Sequence, residues 1–190
     1  MNNPVRSAVQ RTVEARRLLS MGGPLQGGLA LEIGCGRGVG VEIILDTFGA
    51  DRVDAFDLDP HMVGLARRRL ARRGNKVRLW TGDAACIAAR DACYDAVFDF
   101  GIIHHVPDWR SALREALRVL KPGGRFFVEE VLVGFIGNPL WRRFFDHPRE
   151  DRFDHRRFAG ALEAAGFDLI ASDHTWQLFG WYVAGKPGGK

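Results

Sequence analysis

The sequence predicts an α/β fold built on a parallel sheet, and three observations carry this prediction. Short apolar runs of strand length alternate with segments of helical periodicity, which is the pattern of βαβ units. The first apolar run, Leu29–Ile33, ends in a turn that is rich in glycine. The second run ends at Asp57, nineteen residues beyond Gly38, the last glycine of that turn. Together they indicate an open sheet whose strands are joined by crossover helices.

The elements of the first half are bounded by residues that favour turns and helix ends. Gly49 follows the helical pattern of Val39–Phe48 and is expected to cap it. Pro60 favours the first turn of the next helix, which runs to Arg73 and is closed by Gly74. The predicted strands are Leu29–Ile33, Arg52–Phe56 and Val77–Trp80, and the segment Ala84–Ala92 is predicted as a short helix or a loop.

The second half continues the alternation and ends differently. Its predicted elements are strand Asp95–Phe100, helix Asp108–Leu120, a turn at Lys121–Gly124, strand Arg125–Val133, helix His155–Ala165 and a hairpin of Phe167–Trp176 with Phe179–Ala184. Two segments lie outside this alternation of strands and helices. One is an N-terminal cap helix within residues 1–20. The other, residues 134–154, follows a strand end, where segments lie over the ligand crevice of such sheets, and is a candidate lid.

Composition indicates one folded domain over residues 1–190. The 190 residues are 46% hydrophobic, and their net charge of +4 is too small for a disordered chain. The arginine clusters leave a nucleic-acid binder open as an alternative. The three cysteines fit neither a zinc site nor a disulfide framework, and we expect Cys35, Cys86 and Cys93 to pack as small apolar side chains. With no signal peptide and no membrane span visible, we expect a cytoplasmic protein.

The glycine-rich turn carries the strongest functional signal. Gly34, Gly36 and Gly38 stand between a strand and a helix, where backbone N–H groups meet a ligand closely. Asp57, at the end of the next strand, is placed to accept hydrogen bonds from ribose hydroxyls. Glu32 stands two residues before the first glycine; it would repel a pyrophosphate and attract an ammonium or sulfonium cation. The ligand is therefore predicted to be S-adenosylmethionine, with NAD, and an NAD-dependent oxidoreductase, as the alternative.

At this point the chain resembles the class I S-adenosylmethionine-dependent methyltransferases, most closely the small-molecule branch with ubiquinone- and menaquinone-type enzymes. Five motifs in order carry the resemblance: residues 31–38, 56–62, 82–84, 95–105 and 118–124. It implies a Rossmann-like, doubly wound, seven-stranded sheet in the order 3-2-1-4-5-7-6, with the last strand antiparallel. The glycine-rich turn and its context, together with what the resemblance implies, give these expected cofactor-binding residues: Glu32, Gly34, Cys35, Gly36, Gly38, Asp57, Leu58, Met62, Gly82, Asp83, Ala84, Asp99 and Phe100.

The acceptor is less well specified than the cofactor. A small organic molecule is expected, and no nucleic acid, because the fourth strand lacks the Asn-Pro-Pro-Tyr type of motif used on nucleobases. His104 is a candidate general base and Asp99 a candidate contact to cofactor or acceptor, although structural roles remain alternatives for both. No metal is predicted. Arg16 or Arg17 is a candidate partner of the cofactor carboxylate, with a solvent-facing role as the alternative, and His147 and His155 are weaker candidate bases. The oligomeric state stays open.

Overall fold

The computed structural model describes residues 13–136 and 152–188, and its centre is a sheet of seven strands. Their bounds are β1 Leu29–Ile33, β2 Arg52–Asp57, β3 Val77–Thr81, β4 Tyr94–Phe100, β5 Leu120–Val131, β6 Asp168–Thr175 and β7 Phe179–Gly185. The spatial order is β3-β2-β1-β4-β5-β7-β6. β1 to β5 pair in parallel, and β7 runs antiparallel to both β5 and β6. The predicted topology is confirmed.

Helices pack on both faces of this sheet. They are α1 Ala15–Gly22, α2 Val39–Ile43, α3 Pro60–Leu70, α4 Trp109–Val119, α5 Val133–Ile136 and α6 His155–Ala165. Asp59, Asp108 and Asp154 cap α3, α4 and α6, each accepting a hydrogen bond from a backbone N–H of the first turn. Among the described residues, no helix is long and apolar enough to cross a membrane.

The core forms two layers because alternate residues of the central strands face opposite helices. Val97 and Phe126 pack with α4 and α6, whereas Phe98 and Phe127 pack with α1, α2 and α3. The rings of Phe98 and Phe127 lie nearly parallel, 4.7 Å apart, and Phe48 meets Phe98 edge-on at 4.7 Å. Both β4 and β5 are therefore covered on both faces of the sheet, and this packing holds their carboxyl ends in place.

Several predicted boundaries were wrong by a few residues. The turn Lys121–Gly124 lies within the bounds of β5, as an excursion between the pairs Tyr94–Leu120 and Ala96–Arg125. β5 ends at Val131 rather than Val133, since Val133 begins α5. α1 continues to Gly22, two residues beyond the expected end, and the part of that helix expected before residue 13 lies outside the described residues.

The helical segments of the first half also differ from the expectation. The helix predicted over Val39–Phe48 changes after Ile43 into a π-helical turn, Ile44–Phe48, before Gly49 ends it at φ +81°. α3 ends at Leu70, and a 3₁₀ segment, Ala71–Lys76, completes the span predicted as helix. Residues 84–92 form turns, with an isolated bridge between Asp83 and Cys86. Arg118 fixes this segment by donating to the carbonyl oxygens of Ile87 and Ala89.

Candidate functional site

The glycine-rich turn between β1 and α2 leaves no room for side chains at two of its glycines. Gly34 has φ +70°, and a Cβ there would lie 2.0 Å from Cγ1 of Ile102. Gly38 caps α2 at φ +83°, and a Cβ there would lie 2.8 Å from Cδ1 of Leu70. Glycine is therefore needed for backbone conformation and for close packing. Cys35, between the glycines, is buried, and burial raises the pKa of its thiol, as expected of a packing residue.

Asp57 joins three of the predicted motifs at the carboxyl ends of β1, β2 and β3. Its Oδ2 accepts the backbone N–H of Gly36 at 2.8 Å, and its Oδ1 accepts that of Asp59 at 3.0 Å. Its carbonyl oxygen accepts the N–H of Gly82 at 3.0 Å. The motifs at residues 31–38, 56–62 and 82–84 therefore meet at Asp57, the first two at its half-buried carboxylate and the third at its main-chain carbonyl oxygen.

Glu32 lies under the start of α2 rather than at the surface. Its carboxylate fills the space beside Gly40, where a Cβ would lie 1.8 Å from Oε1. Burial, followed by the negative charges of Asp57 and Asp99, raises the pKa of Glu32 well above its usual range. Its Oε2 is buried and has no hydrogen-bond partner among the residues that the structure describes. Such a carboxylate favours the approach of a cation.

The edge formed by β2 and β3 holds the residues expected to contact adenosine. Asp83 is exposed and its Oδ1 accepts the N–H of Ala85 at 2.9 Å, whereas Ala84 is buried. Leu58 is 73% exposed, and Met62 is half-buried on α3. Sequence reasoning missed Trp80, whose ring lies 5.3 Å from that of Phe56. Its Nε1 is buried without a partner within residues 13–136 and 152–188.

A second acidic group lies where β4 and β5 end. Asp99 is fully buried, and its Oδ1 accepts the N–H of Ile102 at 2.9 Å. Burial, followed by the neighbouring Glu130, raises the pKa of Asp99 well above its usual range. Burial raises the pKa of Glu130 to about 7, against the lowering effect of its interactions with Asp99 and with the backbone N–H groups of Val131 and His104. Phe100, the last residue of β4, is half-buried on the opposite face and stacks on Phe98 at 5.9 Å.

Glu130 is the residue that sequence reasoning missed at this edge. It is fully buried, and its Oε2 lies 2.6 Å from Nδ1 of His104, the candidate base. The available signal was the pair Glu129–Glu130, two charges that end an otherwise apolar strand. No local pattern indicates that Glu130 meets His104.

Other predicted residues lie elsewhere. Arg17 pairs with Asp173 of β6, and its guanidinium carbon lies 3.9 Å above the Trp181 ring, so it is held by the protein itself. His155 is half-buried rather than fully solvated, and its Nδ1 lies 3.0 Å from the Tyr182 hydroxyl. Residues 137–151, including His147 and most of the candidate lid, lie outside the described residues.

Two further expectations concern cysteines and arginines. Cys86 was wrongly expected in the core; it is exposed because its segment forms surface turns, and Cys93 is half-buried. The arginines at positions 67–73 lie on or directly after α3, as expected for an exposed face. Two of them form ion pairs with carboxylates of the preceding helical segment: Arg69 with Glu42, and Arg73 with Asp46.

Comparison with known proteins gives one family and several relatives. The family model described as a methyltransferase domain matches residues 30–124. The ubiquinone biosynthesis O-methyltransferase of Methylocella silvestris is 30% identical over 96% of this chain and 78% of its own length. The demethylmenaquinone methyltransferase of Thermus thermophilus is 42% identical over 43% of this chain and 37% of its own length.

The matched share of the relatives varies widely. For three of the first four curated relatives the match covers 36% or less of their own length. Among solved structures, a SAM-dependent methyltransferase from Aquifex aeolicus aligns with a TM-score of 0.74 at 18% identity, over 97% of this chain and 99% of that one. At that identity the likeness concerns the fold.

Proposed function

Because this chain belongs to the class I S-adenosylmethionine-dependent methyltransferases, we propose that it transfers the methyl group of S-adenosylmethionine to a small organic acceptor. One observation carries the proposal. Gly36 and Gly82, from two separate motifs, both donate backbone hydrogen bonds to Asp57 at the ends of adjacent strands. The groups suited to methionine, ribose and adenine recognition therefore share one edge of the sheet.

The charges at this edge fit the proposed cofactor. S-adenosylmethionine carries an ammonium and a sulfonium, and both gain from nearby carboxylates in a site of low dielectric. Glu32 has a buried oxygen without a partner among the described residues, and Asp99 lies fully buried at the end of β4. A pyrophosphate placed beside these carboxylates would be repelled, which disfavours the NAD alternative. The arginines on and directly after α3 that pair with Glu42 and Asp46 likewise give little support to a nucleic-acid binder.

The cofactor supplies an activated methyl group, and the protein positions that group relative to the acceptor. Asp57 would accept hydrogen bonds from the ribose hydroxyls, and the backbone of Gly34 and Gly36 would border the methionine portion. The buried Glu32 would offset positive charge on the cofactor. Holding the methyl carbon in line with an acceptor accounts for much of the rate of such reactions. Both relatives described above have names that refer to small quinone chemistry, ubiquinone biosynthesis and demethylmenaquinone, which supports a small acceptor for this chain.

Calorimetry tests the cofactor assignment directly. The protein is titrated with S-adenosylmethionine and, separately, with NAD. We expect binding of S-adenosylmethionine and at least tenfold weaker binding by Asp57→Ala, because Asp57 is the proposed ribose ligand. Asp168→Ala removes the same charge from an exposed position at the far edge of the sheet and serves as the matched control. Binding of NAD alone would refute the proposal, and equal affinity of folded Asp57→Ala would refute the ribose assignment.

A labelled-methyl screen then addresses the acceptor. The protein is incubated with methyl-labelled S-adenosylmethionine and a panel of phenols, carboxylic acids, amines and quinone precursors, and label in the organic phase is counted. Transfer to at least one small acceptor is expected. Transfer only to protein or nucleic acid added to the reaction would contradict the small-acceptor proposal.

A further inference from the structure

Two ionisable side chains are buried side by side where β4 and β5 end. The His104 side chain is 6% exposed and the Glu130 side chain 0%, and Nδ1 of His104 lies 2.6 Å from Oε2 of Glu130. Two backbone N–H groups also donate to Glu130, that of His104 to Oε1 at 3.1 Å and that of Val131 to Oε2 at 2.9 Å. Burial raises the pKa of Glu130 to about 7, while these two N–H groups fix the carboxylate in place and favour its charged form.

This geometry selects one tautomer of the imidazole. In its ionised form Glu130 only accepts hydrogen bonds, so the proton of neutral His104 then resides on Nδ1. The remaining nitrogen, Nε2, then carries the lone pair that a general base needs. The same relation of carboxylate, imidazole and substrate operates in serine hydrolases, where the carboxylate orients the imidazole and stabilises its protonated form.

The pair lies beside the glycine-rich turn. Ile102 packs directly on Gly34, with Cγ1 2.0 Å from the position of a Cβ there. The 3₁₀ turn Ile103–His105 follows at once, and its N–H groups at His105 and Val106 are bonded to the carbonyl oxygens of Ile102 and Ile103. His104 is therefore two residues from a side chain in contact with the proposed cofactor loop.

We propose that Glu130 is a positioning residue that holds His104 as the general base of methyl transfer, and that the acceptor is a hydroxyl compound such as a phenol. This inference rests on the proposed methyltransferase function. A carboxylate or a thioether acceptor carries no proton on its nucleophilic atom and needs no base. A carboxylic acid would also meet the charges of Glu129 and Glu130 at this edge.

Methyl transfer to the hydroxyl moves one proton and one methyl group. The acceptor hydroxyl gives its proton to Nε2 of His104, and an oxygen electron pair forms the new bond to the methyl carbon. The carbon–sulfur bond breaks and its electrons stay on sulfur, so the sulfonium becomes a neutral thioether. The resulting imidazolium is paired with the Glu130 carboxylate until it loses its proton to solvent.

Other titratable groups face the pair and bear on its pH dependence. Asp99 of β4 hydrogen-bonds to Glu130, and Glu129 lies close enough to raise the pKa of both acids. The ring of His105 stacks on that of His104 at a centroid distance of 4.0 Å. On the side of β7, Glu130 contributes to the raised pKa of Tyr182. Glu129 is a second buried carboxylate of β5, so Glu129→Gln is a matched control for the loss of one buried charge.

The decisive measurement is the tautomer of His104 in the intact protein, which requires no acceptor. Long-range ¹H–¹⁵N spectra of ¹⁵N-histidine-labelled protein report which ring nitrogen carries the proton, and His104→Gln assigns the signal. We expect the Nδ1–H form in the unsubstituted protein and in Glu129→Gln, and loss of that preference in Glu130→Gln. A preference for Nε2–H, or no change in Glu130→Gln, would overturn the positioning role.

Activity and binding separate this inference from the proposed function. With methyl-labelled S-adenosylmethionine, we expect transfer to catechol and none to benzoate; transfer to benzoate alone would overturn the acceptor class. Glu130→Gln should lower kcat at least about tenfold, with the acidic limb of the kcat/KM profile moved to lower pH. Calorimetric affinity for S-adenosylmethionine should stay within threefold. Failure of the unsubstituted protein to bind S-adenosylmethionine would reject the methyltransferase proposal itself, whatever the tautomer.

Discussion

Replacement of Gly34 by alanine should destabilise the protein through two separable effects. At φ +70°, an L-residue costs roughly 1–2 kcal/mol relative to glycine. The added Cβ would also lie 2.0 Å from Cγ1 and 2.9 Å from Cβ of Ile102, so a packed side chain must move. Overpacking of this kind typically costs about 1–3 kcal/mol. The sum, about 2–5 kcal/mol, is a large part of the stability of an ordinary domain.

Urea unfolding followed by circular dichroism measures this loss. Gly123→Ala is the control for the backbone effect, because Gly123 has φ +76° and no described atom within 4 Å of its Cβ position. We expect Gly123→Ala to lower the free energy of unfolding only by the cost of a positive φ, roughly 1–2 kcal/mol. In the double variant Gly34→Ala/Ile102→Ala, the smaller side chain at position 102 no longer meets the added Cβ. The overpacking cost should then disappear, giving a coupling free energy of about 1–3 kcal/mol between the two sites.

Equal destabilisation by Gly34→Ala and Gly123→Ala would refute the reasoning. It would mean that Ile102 moves away without cost and that packing does not require glycine at position 34. Zero coupling in the double-variant cycle would lead to the same conclusion.

Two other predictions concern buried acids. Tyr94→Phe removes the hydroxyl that donates to Oδ2 of the buried Asp54 at 3.1 Å, and it should lower the free energy of unfolding by about 1–3 kcal/mol in the same assay; an unchanged midpoint would show that Asp54 is satisfied without it. The affinity for S-adenosylmethionine should rise with pH from the ordinary carboxyl range upward. Burial, Asp57 and Asp99 raise the pKa of Glu32, and a bound cation lowers it, so binding releases a proton. Calorimetry in two buffers of different ionisation enthalpy measures that release; it should vanish in Glu32→Gln, and proton uptake would contradict the assignment.

The sequence was informative wherever chemistry is local. Gly34 and Gly38 indicate a tight turn because glycine readily adopts positive φ. Pro60 marks the start of a helix because its ring fixes φ near the helical value, and Gly49 marks the end of another at φ +81°. Strand order followed from the family resemblance. The boundaries that were missed lie where geometry changes within an element. The excursion at Lys121–Gly124 still belongs to β5, because the ladder with β4 resumes at Arg125.

Contacts between distant residues could not be predicted in the same way. Glu130 meets His104 across 26 residues, and Arg17 meets Asp173 across 156, in both cases because the tertiary packing of separate elements brings them together. Nothing in the local pattern distinguishes Glu130 from Glu129, although only one of them faces the imidazole. Arg17 was a candidate cofactor ligand until the position of α1 over β7 supplied it with another partner.

The place of β1 in the sheet has a consequence during synthesis on the ribosome. β1 precedes the other six described strands in the chain, yet it pairs on both sides, with β2 and with β4. β4 begins at Tyr94, 37 residues after β2 ends at Asp57. At about 5–20 residues per second this delay lasts roughly 2–8 s. For that time one edge of an apolar strand has no native neighbour, so the nascent chain carries an open strand edge that chaperones or early helix docking must protect.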